Sequence, residues 1–431
     1  MVQARCEMGS EIKSRDIKKY DTIVIGGGIV GLAIAEKLSS EGQTVALVER
    51  DKIAAGASYG NASSLAYSDI MPLASPGMIR KAIKWFIDPL GPFSVVPKDI
   101  FKTAGWLTRF FLAARTPRYL RSIDVQASLM HLSRDTFPDM LERTGLTSMI
   151  RNNGALHLYQ DWSFYRRDLQ NWAVRLKHGI NYETYEEEDL HHFQPGLSKD
   201  FVAGVFVPQW QTITNPADLC TELHEKLSAR GVDTFYSTAD DIQSSGGETL
   251  VSLGSGEILN AHNTVLAAGV WSAGLSRQLG DHVPVIGERG YNTTLPKTAL
   301  PEGYDKTLVF SEHGFLITPL SEHFRIGGAS EIAALDQKPN YKRAKLMAEK
   351  ATKFLPELSI DDGEQWMGQR PSIPDTLPVI GRSSQSDNII YAFGHGHLGL
   401  TQSAATAQLV SELIQNKTPS IDIHPLRVDR F

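Results

Sequence analysis

The first ordered feature of the chain is a short apolar run, Thr22, Ile23, Val24 and Ile25, rich in β-branched side chains as a buried parallel strand requires. Glycines follow at once. From Leu32 to Leu38 the residues are good helix formers, and Gly42 stands where a helix C-terminus favours a residue without Cβ. Thr44 to Val48 is a second apolar strand, which completes a strand–helix–strand unit of the length expected for βαβ. The residues before Tyr20 mix acidic and basic side chains with no apolar run. They are neither a secretory signal nor a spanning helix, and residues 1–19 are expected to be a disordered extension.

Between Met78 and Arg115 the pattern turns aromatic and basic, as in an insertion, and Arg121 to Leu146 reads as mostly helical. Thr103, Trp106, Leu107, Phe110 and Phe111 fall at i, i+3, i+4, i+7 and i+8, with Lys102, Arg109 and Arg115 around them. Such a stripe is usually core. The other reading is an interfacial helix on an anionic membrane. Further on, Asn215 and Pro216 signal a helix start ahead of Leu219, Leu223 and Leu227. Asn263 to Ala268 is a third apolar strand that ends in glycine, and Val283 to Ile326 alternates apolar and polar as an antiparallel sheet does. The tripeptides Ser311–Glu312–His313 and Ser321–Glu322–His323 repeat once, with no longer period behind them, and are taken as a coincidence on a hairpin.

A chain of 431 residues, 42% of them hydrophobic, exceeds what a single core usually holds, so two domains are expected. A net charge of −6 offers no excess of cations to neutralise phosphates, which argues against a nucleic-acid partner. Two cysteines, Cys6 and Cys220, cannot form a disulfide framework, and a reducing compartment is compatible.

Gly26, Gly28 and Gly31 stand in Gly-x-Gly-x-x-Gly register between the first strand and its helix, flanking Ile29 and Val30. Glycines there permit a tight turn, close approach of a pyrophosphate and close helix packing, and the helix N-terminus favours the phosphate charge. Glu49, followed by Arg50, ends the second strand about twenty residues on, where a carboxylate can accept from a ribose. This spacing predicts dinucleotide binding and does not separate FAD from NAD.

At the other end, Trp366 to Pro371 with Arg370, then Pro374 to Gly381, then Ile389 to Ala392 lead into Phe393, Gly394, His395, Gly396, His397, Leu398, Gly399, Leu400 and Thr401. In this order they resemble the D-amino-acid oxidase superfamily of flavoproteins, with a substrate-anchoring Arg-Pro and a flavin-binding Gly-His-Gly turn. Ala267, Ala268, Gly269, Val270, Trp271 and Ser272 look like the family's segment passing the flavin, and Arg325 to Gly328 like its sheet strand near the substrate. Gly56, Ala57, Ser58, Gly60, Asn61, Ala62 and Ser63 resemble the loop between pyrophosphate and ring. The likeness spans roughly residues 20–415. Ala74 to Gly77 with Lys81 to Trp85 is most like the small subunit of bacterial D-amino-acid dehydrogenases, with hydroxyproline dehydrogenases also open.

The resemblance implies an α/β fold, a Rossmann-like FAD-binding domain with an interleaved α+β substrate domain built on a mixed or antiparallel sheet. The expected FAD domain takes residues 20–75, 200–280 and 366–431, and the substrate domain 76–199 and 281–365. FAD would be held noncovalently, since no cysteine lies near these motifs. Arg370 would bind a substrate carboxylate through two parallel hydrogen bonds; its other reading is a structural ion pair. His397, Phe315 and His313 are the further candidates around the substrate, the last two standing where relatives of smaller substrate often carry a tyrosine. An H-x-H metal pair of His395 and His397 lacks a third ligand, and structural or pocket-lining histidines are preferred.

The implied activity is removal of a hydride from the α-carbon of a D-amino acid, with O₂ or a quinone as electron acceptor. Glycine, sarcosine or another N-substituted amino acid is the alternative substrate, and a non-catalytic flavin-binding assembly protein the alternative class. The expected location is cytoplasmic, with peripheral contact at the inner face of the cytoplasmic membrane as the second reading.

Overall fold

The computed structural model describes residues 18–76, 91 and 93–431. Most of the expected extension and the residues 78–90, including Lys81 to Trp85, lie outside the described residues. Two large sheets carry the fold.

The first sheet is built on parallel strands. Lys19–Ile25 pairs with Val45–Glu49 on one side and Ile258–Leu266 on the other, and Asp233–Tyr236 extends the row beside Val45–Glu49. The long strand Ile258–Leu266 serves two partners. Its first half pairs antiparallel with Glu248–Leu253, and Thr264, Val265 and Leu266 pair in parallel with Ile389, Ile390 and Tyr391. Helix Ile29–Ser40 covers one face. It is buried nearly all round, between the sheet and helices Pro216–Ala229 and Gly399–Ile414, which explains its run of Ala33, Ile34 and Ala35. The expected start of helix Pro216–Ala229 is realised: the Asn215 side chain accepts from the Ala217 N–H at 3.1 Å.

The second sheet runs Glu364–Ser372, Ile286–Pro296, His323–Ile332, Phe315–Pro319, Thr307–Phe310, Ala155–Tyr159, Ala203–Val207 and Glu183–Glu186, with Phe93–Val95 on His323–Ile332. The alternation between Val283 and Ile326 is thus an antiparallel meander, and the repeated tripeptides occupy two of its successive turns. Two segments assigned to the first domain belong to this sheet instead. Ala203–Val207 pairs with Ala155–Tyr159, and Glu364–Ser372 pairs with Ile286–Pro296. An apolar or mixed strand carries no mark of which sheet will receive it, because strand pairing is a long-range choice.

Helix Thr116–Thr144 also departs from its assignment to the substrate domain alone. Its first half places Ile123, Ala127 and Met130 among residues of the second sheet, and its second half places Phe137, Met140 and Leu141 in the core shared with helix Ile29–Ser40. The stripe on helix Ile100–Ala113 is core: Thr103, Trp106, Leu107 and Phe110 are buried, and the Trp106 indole N–H donates to the Ser372 carbonyl at 3.1 Å. Phe101 is 93% exposed on this helix, and Lys102 and Arg109 are exposed with it. No described helix is long and apolar enough to cross a membrane.

Candidate active site

A cavity of about 1090 Å³ opens at the carboxyl ends of the parallel strands and reaches the second sheet. In an open α/β sheet that is where side chains and free backbone groups converge on a ligand. The Gly-x-Gly-x-x-Gly turn forms one wall. Gly26 has φ +118°, and a Cβ there would stand 2.5 Å from the Ala267 carbonyl oxygen; one on Gly31 would stand 1.9 Å from the Gly26 oxygen. Only glycine lets the strand, the turn and the next strand end meet this closely.

Gly26, Gly28, Ile29 and Val30 line the cavity at the N-terminus of helix Ile29–Ser40, whose Ile29 N–H donates to Ser58 Oγ at 3.0 Å. Glu49 and Arg50 line it further out. The Glu49 carboxylate accepts from the Gly27 N–H at 2.7 Å and the Asp51 N–H at 3.0 Å, which fixes it while leaving lone pairs for a ribose. Arg50 lies over the Trp271 ring, 3.7 Å from its centroid, closing that end.

Ala57, Ser58, Asn61 and Ala62 follow along the wall, opposite Ala268, Gly269 and Trp271. Their loop is bolted to the second sheet: the Asn292 amide donates to the Gly60 carbonyl at 2.6 Å, and Arg325 Nη1 to the Asn61 carbonyl at 2.7 Å. Burial pushes the Arg325 guanidinium down to about 10. His395, Gly396, Leu398, Gly399 and Leu400 bring the N-terminus of helix Gly399–Ile414 to the same space, so two helix dipoles point their positive ends into it.

Four expected cofactor residues stand behind this wall rather than in it: Gly31, Ser63, Gly394 and Thr401 are not among the lining residues. They shape it. Thr401 Oγ1 accepts from the Ala66 N–H at 3.1 Å, and a Cβ on Gly394 would meet the Ile373 side chain at 2.1 Å.

Arg370 lies at the far end, on the second sheet. Antiparallel register puts it directly opposite Glu288, so the two side chains share a face, together with Ser372 two residues on and Gly290 two residues along the partner strand. Arg370 Nη1 donates to Glu288 Oε1 at 2.9 Å, Ser330 Oγ donates to the same oxygen at 2.6 Å, and Ser372 Oγ to Oε2 at 2.6 Å. Burial opposes the charge on Glu288, but Arg370 and the two hydroxyls outweigh it and hold the carboxyl below the ordinary glutamate value.

The ion pair and the anchor are therefore compatible readings of Arg370. Nη2 and Nε have no partner among the described residues, and both would lie within 2.7 Å of a Cβ on Gly290. The absence of a side chain at 290 is what lets the guanidinium lie against its neighbour strand.

His397, at the end of the glycine turn, lines the cavity with Nε2 2.9 Å from Asp69 Oδ2. His395 points the other way, its Nε2 2.9 Å from Thr406 Oγ1, and burial pushes it down to about 3. No described group of His, Cys, Asp and Glu could hold a metal ion. Phe315 lines the cavity and stacks on Phe310.

His313 does not reach the cavity. Its Nε2 lies 2.7 Å from Gln160 Oε1, its ring packs on Phe354, and burial, followed by the charge of Lys350, pushes it down to about 4. Turn geometry sends Ser311 and Gly314 inward and the histidine between them outward. Sequence reasoning missed Asp69, Glu288, Gly290 and Asn292. None belongs to a local motif, and only strand register or loop docking brings them in.

The donor set fits FAD: two helix N-termini, a glycine cradle a Cβ would fill, a fixed carboxylate where a ribose is expected, and a space long enough to reach the second sheet. Cys220, the one cysteine among the described residues, is buried in helix Pro216–Ala229 and is absent from the cavity lining.

Residues 21–413 match the family model described as DAO, FAD dependent oxidoreductase. Among curated proteins the chain is 31% identical to a D-amino-acid oxidase of Bradyrhizobium diazoefficiens, covering 95% of this chain and 98% of that one. It is 29% identical to D-amino acid dehydrogenase 1 of Mesorhizobium japonicum, covering 95% and 99%. Among solved structures, glycine oxidase from Geobacillus kaustophilus superposes with a TM-score of 0.76 at 21% identity over 96% of this chain and 99% of that one. L-proline dehydrogenase from P. horikoshii gives 0.73 at 19% identity over 96% and 98%. With its glycine cradle, paired helix N-termini and a match over residues 21–413, the chain belongs to the DAO family of FAD-dependent oxidoreductases.

Proposed function

We propose that this enzyme oxidises a D-amino acid at the carbon bearing the amino group, giving an imino acid that hydrolyses to a 2-oxo acid and ammonia, or a ring imine where the amine is secondary. The observation that carries the reading is Arg370, a guanidinium with an unpartnered edge, set in the cavity that the glycine cradle opens. The curated relatives named D-amino-acid oxidase and D-amino acid dehydrogenase favour the D-series.

FAD, when bound, supplies the two-electron acceptor. Arg370 takes the substrate carboxylate in a bidentate bond, and Glu288, Ser330 and Ser372 keep the guanidinium from turning. Phe315, Trp210 and Phe110 give the rest of the substrate an apolar wall that displaces water. Orientation and desolvation by these residues contribute to rate.

Anaerobic bleaching of the flavin by a panel of D- and L-amino acids, prolines and glycine tests this directly. Bleaching by D-acids supports it, and bleaching only by L-acids or glycine sinks the D-assignment. For the onward acceptor, a quinone is favoured over O₂ by the segment 98–121, where Phe101, Lys98, Lys102, Arg109, Arg118 and Arg121 are all exposed. An exposed aromatic on a segment carrying several exposed cations suits an anionic membrane surface.

A further inference from the structure

The His397–Asp69 pair lies in the cavity and is not used by the reading above, on which this inference rests. It is held from both sides. Asp69 follows Ser68, whose hydroxyl accepts from the Trp210 indole N–H at 2.5 Å and whose carbonyl accepts from Arg175 Nε at 2.9 Å. On the other side, the Gly396 N–H donates to the Pro371 carbonyl at 2.9 Å, and His395 forms an antiparallel bridge with Ser372. The two residues before His397 are thus hydrogen-bonded to the two residues after Arg370. Carboxylate anchor and imidazole are neighbours by backbone connection, not by chance of side-chain reach.

An amino acid reaches the enzyme near neutral pH as an ammonium, which has no lone pair to push a hydride from the adjacent carbon. A proton has to leave first. The Asp69 carboxylate accepts from Nε2–H of His397 and so selects the tautomer whose Nδ1 carries a lone pair, and Nδ1 has no partner among the described residues. We propose that His397, oriented by Asp69, is the base that takes this proton. The ammonium N–H bond breaks, its electron pair stays on nitrogen, and the proton forms Nδ1–H of an imidazolium whose charge Asp69 balances. The proton goes to water when product leaves. No oxidation state changes in this step.

The charged groups around the pair are compatible with it. Arg175 and His157 face Asp69 from helix Trp162–Lys177 and strand Ala155–Tyr159, and Glu288, paired with Arg370, faces His397 from the second sheet. Glu288 offsets Arg370, and His157 and His395 are buried and pushed down to about 3, so neither competes for the proton.

The test is a pH series of rapid anaerobic flavin reduction by a D-amino acid, on FAD-loaded wild type, His397→Gln and Asp69→Asn, with benzoate binding followed by the flavin spectrum. Near neutral pH His397→Gln should reduce about 10²-fold more slowly, with Asp69→Asn between it and wild type. The deficit should shrink as pH rises past the ammonium pKa of the free substrate, because solvent then delivers the neutral amine. Benzoate, which has no amine, should bind His397→Gln as it binds wild type. A deficit equal at every pH, no deficit near neutrality, or a parallel loss of benzoate binding overturns the role of the pair while D-amino-acid oxidation stands. Wild type that no amino acid reduces overturns the underlying reading, and this inference with it.

Discussion

In the proposed function Arg370 satisfies two chemical demands at once. A half-buried guanidinium beside Glu288 makes a neutral pair, and its unpaired edge still offers two parallel donors to a carboxylate. Arg370→Ala strands Glu288, 3% exposed, without its countercharge. In the wild type the lowered pKa of Glu288 contributes stability above the ordinary glutamate pKa, and that contribution is lost as pH falls below it. The variant should reverse the sign, with Glu288 raised by burial and stability improving as pH falls toward 5; thermal unfolding across a pH series reads this, and parallel curves would refute it.

Two glycines separate reach from packing. A Cβ at 290 meets the guanidinium, the movable end of a side chain, whereas one at 31 meets the Gly26 carbonyl, which is backbone. Gly290→Ala should therefore keep bound flavin and raise KM about 10-fold or more, by analogy with a weakened charge-assisted bond. Gly31→Ala should lose flavin. Flavin content and steady-state kinetics of the two variants check both statements, and equal behaviour would show that the distinction is false.

Among the elements, three helices meet on Glu36. It is 1% exposed on helix Ile29–Ser40, 2.7 Å from Arg143 Nη2 and 3.0 Å from Arg230 Nη1, so it ties the cradle helix to Thr116–Thr144 and to the end of Pro216–Ala229. Glu36→Gln should destabilise by about 2 kcal/mol, the scale of hydrogen bonds to charged groups. Denaturant unfolding would show it, and no shift in midpoint would mean the pair is solvated in effect. At this scale, the strand–turn–helix cradle and the start of helix Pro216–Ala229 were legible because each signal is local: a β-branched run and glycines at fixed spacing for the first, a capping Asn215 for the second. Glu288 was not, since a lone glutamate in an alternating strand says nothing until Ile286–Pro296 pairs in register with Glu364–Ser372.

For the whole molecule, the membrane contact proposed from the exposed Phe101 is open to a direct test. If a membrane surface is the partner, the protein should sediment with vesicles rich in anionic lipid at low salt, and Phe101→Glu should abolish this with flavin reduction unchanged. Binding to neutral and anionic vesicles alike would refute the electrostatic part.

The sequence by itself determined the nucleotide cradle, the alternation of the second sheet and the residues of the glycine turn, because steric permission and hydrophobic period act within a few positions of the chain. Only the tertiary structure decided that Ala203–Val207 and Glu364–Ser372 join the second sheet, that His313 faces Gln160 and Phe354 while His397 faces the cavity, and that Asp69 and Glu288 stand behind His397 and Arg370. Those choices rest on pairings between segments up to 328 residues apart, where register and loop docking, not local preference, set which side chains meet.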